Sequence, residues 1–349
     1  MATIVLTGGG TAGHCIPNVA LLPYLKNKFD KIYYIGSKNG IEEQIISKEK
    51  IPYFAVPCAK LNRNLIIKNL SIPFKVIMGI KKAGKILDKV KPDVIFSKGG
   101  FVAIPTVIAA KKRKIPVIAH ESDYTIGLAN KLTAKFCDKI LTTFPETAKE
   151  IKNAKYVGPP LKHLNTNKSD ALKYFELSGK KPIILVTGGS LGAQAINNAL
   201  REALPKLLLD FDVLHICGKG NLTNTKFSQG YQQREFISDM SKAFAVSDVC
   251  VSRAGSNTLF ELLSLKKPCV LIPLPKGTSR GDQVFNAEYF QKKGLVNVLY
   301  QNTLTPESLI TSITSTYSNR KNFEKSFNAY PIENSCMEIS KILSSYVNH

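Results

Sequence analysis

The chain is poor in acids: 26 Asp and Glu stand against 48 Lys and Arg, a formal net charge of +22. It has no run of 18 or more apolar residues, so it offers no candidate for a membrane-spanning helix. It has no charged segment followed by an apolar stretch and a cleavage site at its start. MATIVLT enters a strand at once, and a signal peptide is not expected. Its seven cysteines (Cys15, Cys58, Cys137, Cys217, Cys250, Cys269, Cys336) are odd in number, scattered and never spaced as CxxC. That argues against a disulfide framework and for reduced, mostly buried thiols in a cytosol. Four readings of the charge stand open: a nucleic-acid partner, an anionic membrane surface, anionic small substrates, or simply a lysine-rich surface. No zinc pattern, RNP-type aromatics or helix-turn-helix spacing supports the first.

What is present is a folded, globular composition. Apolar residues make up 44% of 349 positions, enough chain for two cores. Short, β-branched and almost continuously apolar runs such as KIYYIGS, PDVIFSKGG, IPVIAHES and KILTTF alternate with amphipathic stretches. That grammar predicts parallel strands buried on both faces. It then restarts: PIILVTGGSLGAQA at 182–195 mirrors ATIVLTGGGTAGHC at 2–15, and DVLHICG, DVCVSRAG and CVLIPLP follow as further strands. The expected fold class is α/β, with two Rossmann-like, doubly wound parallel-sheet domains facing a cleft. A linker is expected near 158–164, in the Pro- and Lys-rich GPPLKHL, which divides the chain at 1–160 and 161–332.

The opening turn holds the first chemistry. Gly8, Gly10 and Gly13 satisfy GxGxxG by spacing, but the second strand ends in Gly36 and Ser37 with no acid there for a ribose. The turn also lacks the Gly-Lys-Ser/Thr ending of a P-loop, so what remains is a glycine turn and a helix start suited to phosphate. His14 is either an ordinary helix-start histidine or a group placed beside that cradle. In SRAGSNTLFELL, Arg253 and Gly255 form a turn, Ser256 or Asn257 is expected to cap a helix, and Glu261 follows about one turn in. An arginine at a helix start suits a diphosphate, and a carboxylate suits two ribose hydroxyls. An ordinary capped helix explains the same residues. In PLPKGTSRGDQVFNAEYF, Asp282, Gln283 and Asn286 sit in a polar loop entering a helix. The DxD at Asp210-Phe211-Asp212 falls between a helix and a strand, on the side away from a ligand crevice, and reads as a solvated turn.

Residues 60–91 carry nine basic residues and one acid. From Pro73, Val76, Ile77, Ile80, Ala83 and Leu87 form an apolar helical stripe, with Lys75, Lys82, Lys85 and Lys89 opposite. A surface helix packed on a sheet accounts for the stripe. The excess of apolar residues in 65–74, flanked by lysines, also suits an anionic membrane.

Taken in order, GGGTAGH, FSKGGFVAIP, HESDYTIGLANK, VTGGSLGAQAIN, EFISDM, SRAGSNTLFEL and DQVFNAEYF span nearly the whole chain. In these seven motifs the sequence resembles the MurG family of bacterial peripheral glycosyltransferases, which add N-acetylglucosamine to lipid I and so make lipid II for peptidoglycan. The resemblance implies the two-domain GT-B fold, inverting transfer from UDP-N-acetylglucosamine, no metal and no other cofactor. It also implies a polyprenyl diphosphate acceptor, an anionic cytoplasmic membrane surface as partner, and no nucleic acid. It implies that a C-terminal helix in 333–349 crosses back to the first domain.

Residue by residue, the resemblance places Thr11, Ala12 and Gly13 in the donor-contacting turn, where the family usually has two glycines after the threonine. His14 matches the family's histidine, the expected catalytic base, whose ordinary pKa near 6.5 suits that work. Asp123 falls where other members carry a donor-contacting asparagine. Lys162 falls where arginine is common, which keeps the charge and loses the forked donor geometry. Ser190 matches a diphosphate-binding serine, and Ile237 a residue whose backbone reads uracil. Arg253, Ser256, Asn257, Thr258 and Leu259 fall at the diphosphate-binding helix start, with Glu261 as ribose ligand and Gln283 near the sugar. The expected membrane patch is Leu65, Ile66, Ile67, Lys68, Phe74 and Lys75. On this view the donor diphosphate belongs mainly to the second domain, and the opening turn covers the donor and receives the acceptor's own diphosphate. Two rival activities share the fold: a glycolipid synthase acting on diacylglycerol, and a UDP-N-acetylglucosamine epimerase.

Overall fold

Strands come first in each half because their residues are apolar on both faces. β1 (Thr3–Thr7) is buried at every position, as are β4 (Val94–Ser97) and β5 (Val117–Glu121). With β2 (Lys31–Ser37), β3 (Tyr53–Val56), β6 (Lys139–Thr142) and β7 (Ala154–Tyr156) they form a parallel sheet of order β3-β2-β1-β4-β5-β6-β7. A second parallel sheet joins β8 (Ile183–Thr187), β9 (Asp212–Ile216), β10 (Tyr231–Arg234), β11 (Val249–Ser252), β12 (Cys269–Leu271) and β13 (Asn297–Val298) in the order β10-β9-β8-β11-β12-β13. This computed structural model describes residues 1–59, 72–164, 167–189, 192–224, 229–277 and 281–347.

The chain divides into two compact units, Met1–Lys162 with Glu333–His349, and His163–Ile332. The first unit runs two residues past the expected division at 160 and includes the C-terminal helix Cys336–Ser344. That helix belongs there because Cys336, Ile339 and Leu343 are fully buried in one core with Leu21, Leu22 and Leu25. Burying each such leucine contributes about 1.5–3 kcal/mol. Ser340 Oγ donates to the Tyr24 carbonyl at 3.1 Å, and Asn334 clamps Leu161 through both its carboxamide atoms. On the other sheet face Val5, Ile35, Ile95 and Val107 pack with Ala83 and Leu87.

In each unit the strand order reverses beside the first strand, between β1 and β4 and between β8 and β11. Open parallel sheets leave their ligand crevice at the carboxyl ends of the strands flanking such a reversal. Thr7 pairs with Ser97 and Thr187 with Ser252, so in each unit two turns leave the sheet at the same level. Those four turns are the glycine-bearing segments GGGTAGH, KGGF, GGSLG and RAGSN.

The helix Ile72–Val90 corrects one expectation. Gly79, Ala83, Gly84 and Leu87 form its buried side, Val76 and Ile80 are half-buried, and Ile77 is 52% exposed. Small residues let this helix approach so closely that a Cβ on Gly84 would meet the Arg113 guanidinium, which is itself paired with Asp88 at 2.6 Å. At 100° per residue, Phe74 and Met78 fall opposite Ala83, on the outward face with Lys81 and Lys85. Phe74 is 68% exposed and Met78 45%. Among the described residues, no helix is long and apolar enough to cross a membrane.

Candidate functional site

In the first unit β1 runs into Gly8 (φ +151°) and Gly10 (φ +84°), then the short 3-10 turn Ala12–His14 and the helix Ile16–Leu25. After β4, Gly99 and Gly100 take φ of +78° and +76°. The two turns touch: a Cβ on Gly100 would strike the Gly9 carbonyl oxygen and come within 3.3 Å of His14 Nδ1. Glycine is therefore required there for space as well as for φ. His14 stands at this seam, half-exposed, with Nδ1 2.9 Å from Thr11 Oγ1. Thr11 and Gly13 are exposed and Ala12 half-exposed beside it. The neighbouring Cys15 is buried, and burial pushes its thiol up to about 12, so it is inert.

Two buried charges under these turns were not read from the sequence. The first is Glu42, in the helix Ile41–Ile46, fully buried. Its Oε2 accepts the Gly10 N–H at 3.1 Å, and its Oε1 accepts the Ser37 N–H at 3.0 Å and the Ser37 hydroxyl. An acid does therefore return to the end of β2, five residues beyond Ser37, but its carboxylate is spent on the turn's own backbone. The second is Lys98, 1% exposed, at the carboxyl end of β4. Its Nζ lies 2.6 Å from His120 Nδ1 and donates to Ser122 Oγ at 2.5 Å. His120 is fully buried and held neutral: burial first, and the Lys98 charge second, depress its pKa well below the ordinary value. Its Nε2 then donates to the Gly158 carbonyl at 3.4 Å. A lysine beside two glycines at a strand end, in FSKGG, is the signal that marks Lys98.

The segment after β5 is organised by Glu121. Its carboxylate accepts the N–H groups of Ser122, Asp123 and Gly127 at 2.9, 3.1 and 2.8 Å, and Asn130 Nδ2 at 2.9 Å. Asp123 is half-buried in that loop, and Lys162 is exposed where the first unit ends.

In the second unit Gly189 (φ +87°) and Gly192 (φ +75°) shape the turn after β8, and the Gly192 N–H bonds to the Gly189 carbonyl at 2.9 Å. A Cβ on Gly188 would strike the backbone of Ala193, at the start of the helix Gln194–Asp210. Ser190 lies outside the described residues, as do Leu65, Ile66, Ile67 and Lys68.

The helix Ser256–Ser264 is capped by Gly255, not by Ser256 or Asn257, and no side chain caps it. Gly255 reaches the extended backbone that a cap needs, and Ser256 is already the first helical residue. Its first-turn N–H groups, at 256–258, precede any helical acceptor of their own. Leu259 differs from them. Its side chain is fully buried and its N–H bonds to the Gly255 carbonyl at 3.0 Å. Arg253 donates from Nη1 to the carbonyls of Ile272 and Pro273 at 3.0 and 3.4 Å, so its guanidinium ties β11 to the end of β12. Glu261 is half-buried one turn further on. Gln283, in the helix Asp282–Gln291, accepts the Leu274 N–H at 3.0 Å. Ile237 has its side chain buried, which leaves its backbone as its polar part.

Asp210, exposed, ends the helix Gln194–Asp210 at the end of the sheet away from these turns, but the turn is not solvated throughout: Asp212, which opens β9, is buried and accepts from Ser178 Oγ at 3.3 Å. Among the described residues no three His, Cys, Asp or Glu side chains are grouped to hold a metal ion. His215 is structural: it sits between Tyr231 OH (2.9 Å) and Asn197 Oδ1 (3.0 Å), and burial lowers its pKa to about 3.

The glycosyltransferase family 28 N-terminal domain matches residues 4–142, and the corresponding C-terminal domain matches 183–341. Over 346 residues the chain is 49% identical to a protein of Clostridium botulinum (strain Alaska E43 / Type E3). That protein is named UDP-N-acetylglucosamine–N-acetylmuramyl-(pentapeptide) pyrophosphoryl-undecaprenol N-acetylglucosamine transferase, and the match covers 97% of each chain. The crystal structure of Acinetobacter baumannii MurG superposes with a TM-score of 0.77 at 24% identity, over 99% of this chain and 100% of that one. The UDP-GlcNAc 2-epimerase of Neisseria meningitidis superposes at 0.66 with 16% identity, over 99% of both chains, so the fold alone does not separate transferase from epimerase.

Proposed function

The chain belongs to glycosyltransferase family 28, and from that premise we propose that it transfers N-acetylglucosamine from UDP-N-acetylglucosamine to the C4 hydroxyl of the N-acetylmuramyl group of lipid I, forming lipid II. The observation that carries this reading is the 49% identity, over 97% of both chains, to a protein named for that transfer.

The transfer is an inverting displacement. The acceptor hydroxyl attacks the anomeric carbon, His14 takes the hydroxyl proton, and the bond from that carbon to the UDP oxygen breaks on the opposite face. The position of His14 at the seam of two glycine turns supports this role. The first-unit turns, with Thr11, Ala12 and Gly13, cover the donor and receive the acceptor diphosphate. In the second unit the turn at 188–192, with Ser190, and the first-turn N–H groups at 256–258 hold the donor diphosphate without a metal. Glu261 accepts from the ribose hydroxyls, the backbone at Ile237 reads uracil, and Asp123, Lys162 and Gln283 lie near the donor. Arg253 acts through the carbonyls that it holds rather than as a free cation.

The enzyme works at the cytoplasmic face of the membrane as a peripheral protein and takes no nucleic acid. The outward trio Phe74, Ile77 and Met78, with Lys75, Lys81, Lys82 and Lys85 exposed around it, supports docking on an anionic lipid surface. The test is an acceptor comparison with radiolabelled UDP-N-acetylglucosamine. Label is expected only in lipid II, formed when lipid I is the acceptor. Transfer to diacylglycerol, or epimerised UDP-sugar formed without any acceptor, would replace this reading with one of its rivals.

A further inference from the structure

Lys98 is an anomaly in a core. It is fully buried, and both its hydrogen-bond partners, His120 Nδ1 and Ser122 Oγ, are neutral. The adjacent Glu121 spends its carboxylate on four other donors. Burying an ammonium without an ion pair is costly, and an apolar side chain of like length commonly fits such a site better. The charge is therefore poor structural glue. Its position is informative: Lys98 follows β4 at the strand reversal, precedes Gly99, and lies with Cβ 3.0 Å from where Gly8 would carry its own Cβ. The side chain runs from beneath the first turn to the end of β5. The network is anchored behind, since His120 Nε2 and Ser335 Oγ both donate to the Gly158 carbonyl.

We propose that Lys98 is a positioning residue for an organic diphosphate: it holds the His120–Ser122 strand end against the two glycine turns of the first unit and supplies, from below, the positive charge that draws the diphosphate to them. The inference rests on the reading that these turns receive the acceptor's diphosphate. The groups that face Lys98 are His120, Ser122, Glu121, Asp123 and, from the returning helix, Cys336. Burial brings the Lys98 pKa down to about 8, against the pull of those carboxylates. His120 stays neutral and Cys336, pushed up to about 12, stays protonated through that range.

The test uses the whole enzyme with farnesyl diphosphate as an inhibitor competing with lipid I. Lys98→Met is expected to raise its inhibition constant at least tenfold, leave the KM for UDP-N-acetylglucosamine within twofold, and not lower the melting temperature. In the unmodified enzyme the inhibition constant is expected to rise as pH passes 8, and Lys98→Met is expected to lose that limb. If Lys98→Met folds poorly, Lys98→Gln offers an uncharged N–H donor on a shorter side chain and removes the charge. Equal inhibition of the unmodified enzyme and the variant that folds overturns the role of Lys98 and leaves the diphosphate reading standing. Failure of farnesyl diphosphate to compete with lipid I in the unmodified enzyme overturns that reading, and the inference with it.

Discussion

His14 and Glu261 carry the sharpest consequences at the scale of single residues. On the proposed mechanism His14→Ala removes the base and leaves the turn backbone in place, so kcat is expected to fall by about 10²–10⁴ with donor KM little changed. A near-full kcat would reassign the base. On the same reading Glu261→Ala removes a carboxylate acceptor for two ribose hydroxyls, each bond to a charged group being worth about 1.5–3 kcal/mol. UDP binding by calorimetry is expected to weaken at least tenfold, and unchanged affinity would end the ribose role. Lys98 makes a prediction about stability with a definite sign. Its folded pKa, about 8, lies below the 10.5 of an ordinary lysine. Between those values the unfolded chain binds a proton that the folded one does not, so this group makes stability rise with pH from about 8 towards 10.5. The cost is fully present below 8. Lys98→Met is therefore expected to raise the melting temperature by several degrees at pH 7 and to lose the advantage above pH 10. A variant that melts lower at pH 7 would show that the charge stabilises after all.

At the scale of elements, the glycine turns and the helix Ile72–Val90 decide most. Gly100→Ala puts a Cβ into the Gly9 carbonyl at a φ of +76°, and strain of about 1–3 kcal/mol is expected, read as a lowered denaturation midpoint. Glu42→Gln turns an amide NH2 towards donors that Glu42 now satisfies, and a similar loss is expected from the N–H groups left unpaired. On the long helix, Phe74, Ile77 and Met78 are exposed, so replacing all three with serine costs the fold little. Each large apolar group buried in lipid is worth about 1.5–3 kcal/mol. Cosedimentation with anionic vesicles is expected to fall at least tenfold, with UDP binding intact. Unchanged cosedimentation would leave this face without a membrane role.

At the scale of the whole molecule, the two units depend unequally on the chain's end. Removing 333–349 strips Cys336, Ile339 and Leu343 from the first core. That unit is expected to lose its cooperative melting, while the second unit, His163–Ile332, keeps its own core around Val186, Leu200 and Leu204. Retention of both transitions would mean that the first sheet is complete without the returning helix. The net charge of +22 is a molecular property too, and vesicle binding is expected to weaken steeply with salt whichever apolar residues are present.

The chain's own order of residues determined the architecture and pointed to the chemistry. Continuous apolar strands between helices allow few folds besides two parallel sheets, and turns of Gly-Gly with small residues recur where strands end. The positions of His14, in the turn before the helix Ile16–Leu25, and of Glu261, one turn into the helix Ser256–Ser264, are local and visible in the spacing. Tertiary structure alone decided the rest, because burial is a property of neighbours distant in sequence. Glu42 buttresses Gly10 across 32 positions, Lys98 meets His120 across 22, and Cys336 packs against a helix that begins at Ile16. The apolar stripe from Val76 to Leu87 was visible as a pattern, yet which of its members face out depended on how closely Gly79 and Gly84 let the helix pack. A pattern names the residues that can be buried; only the partner surface selects those that are.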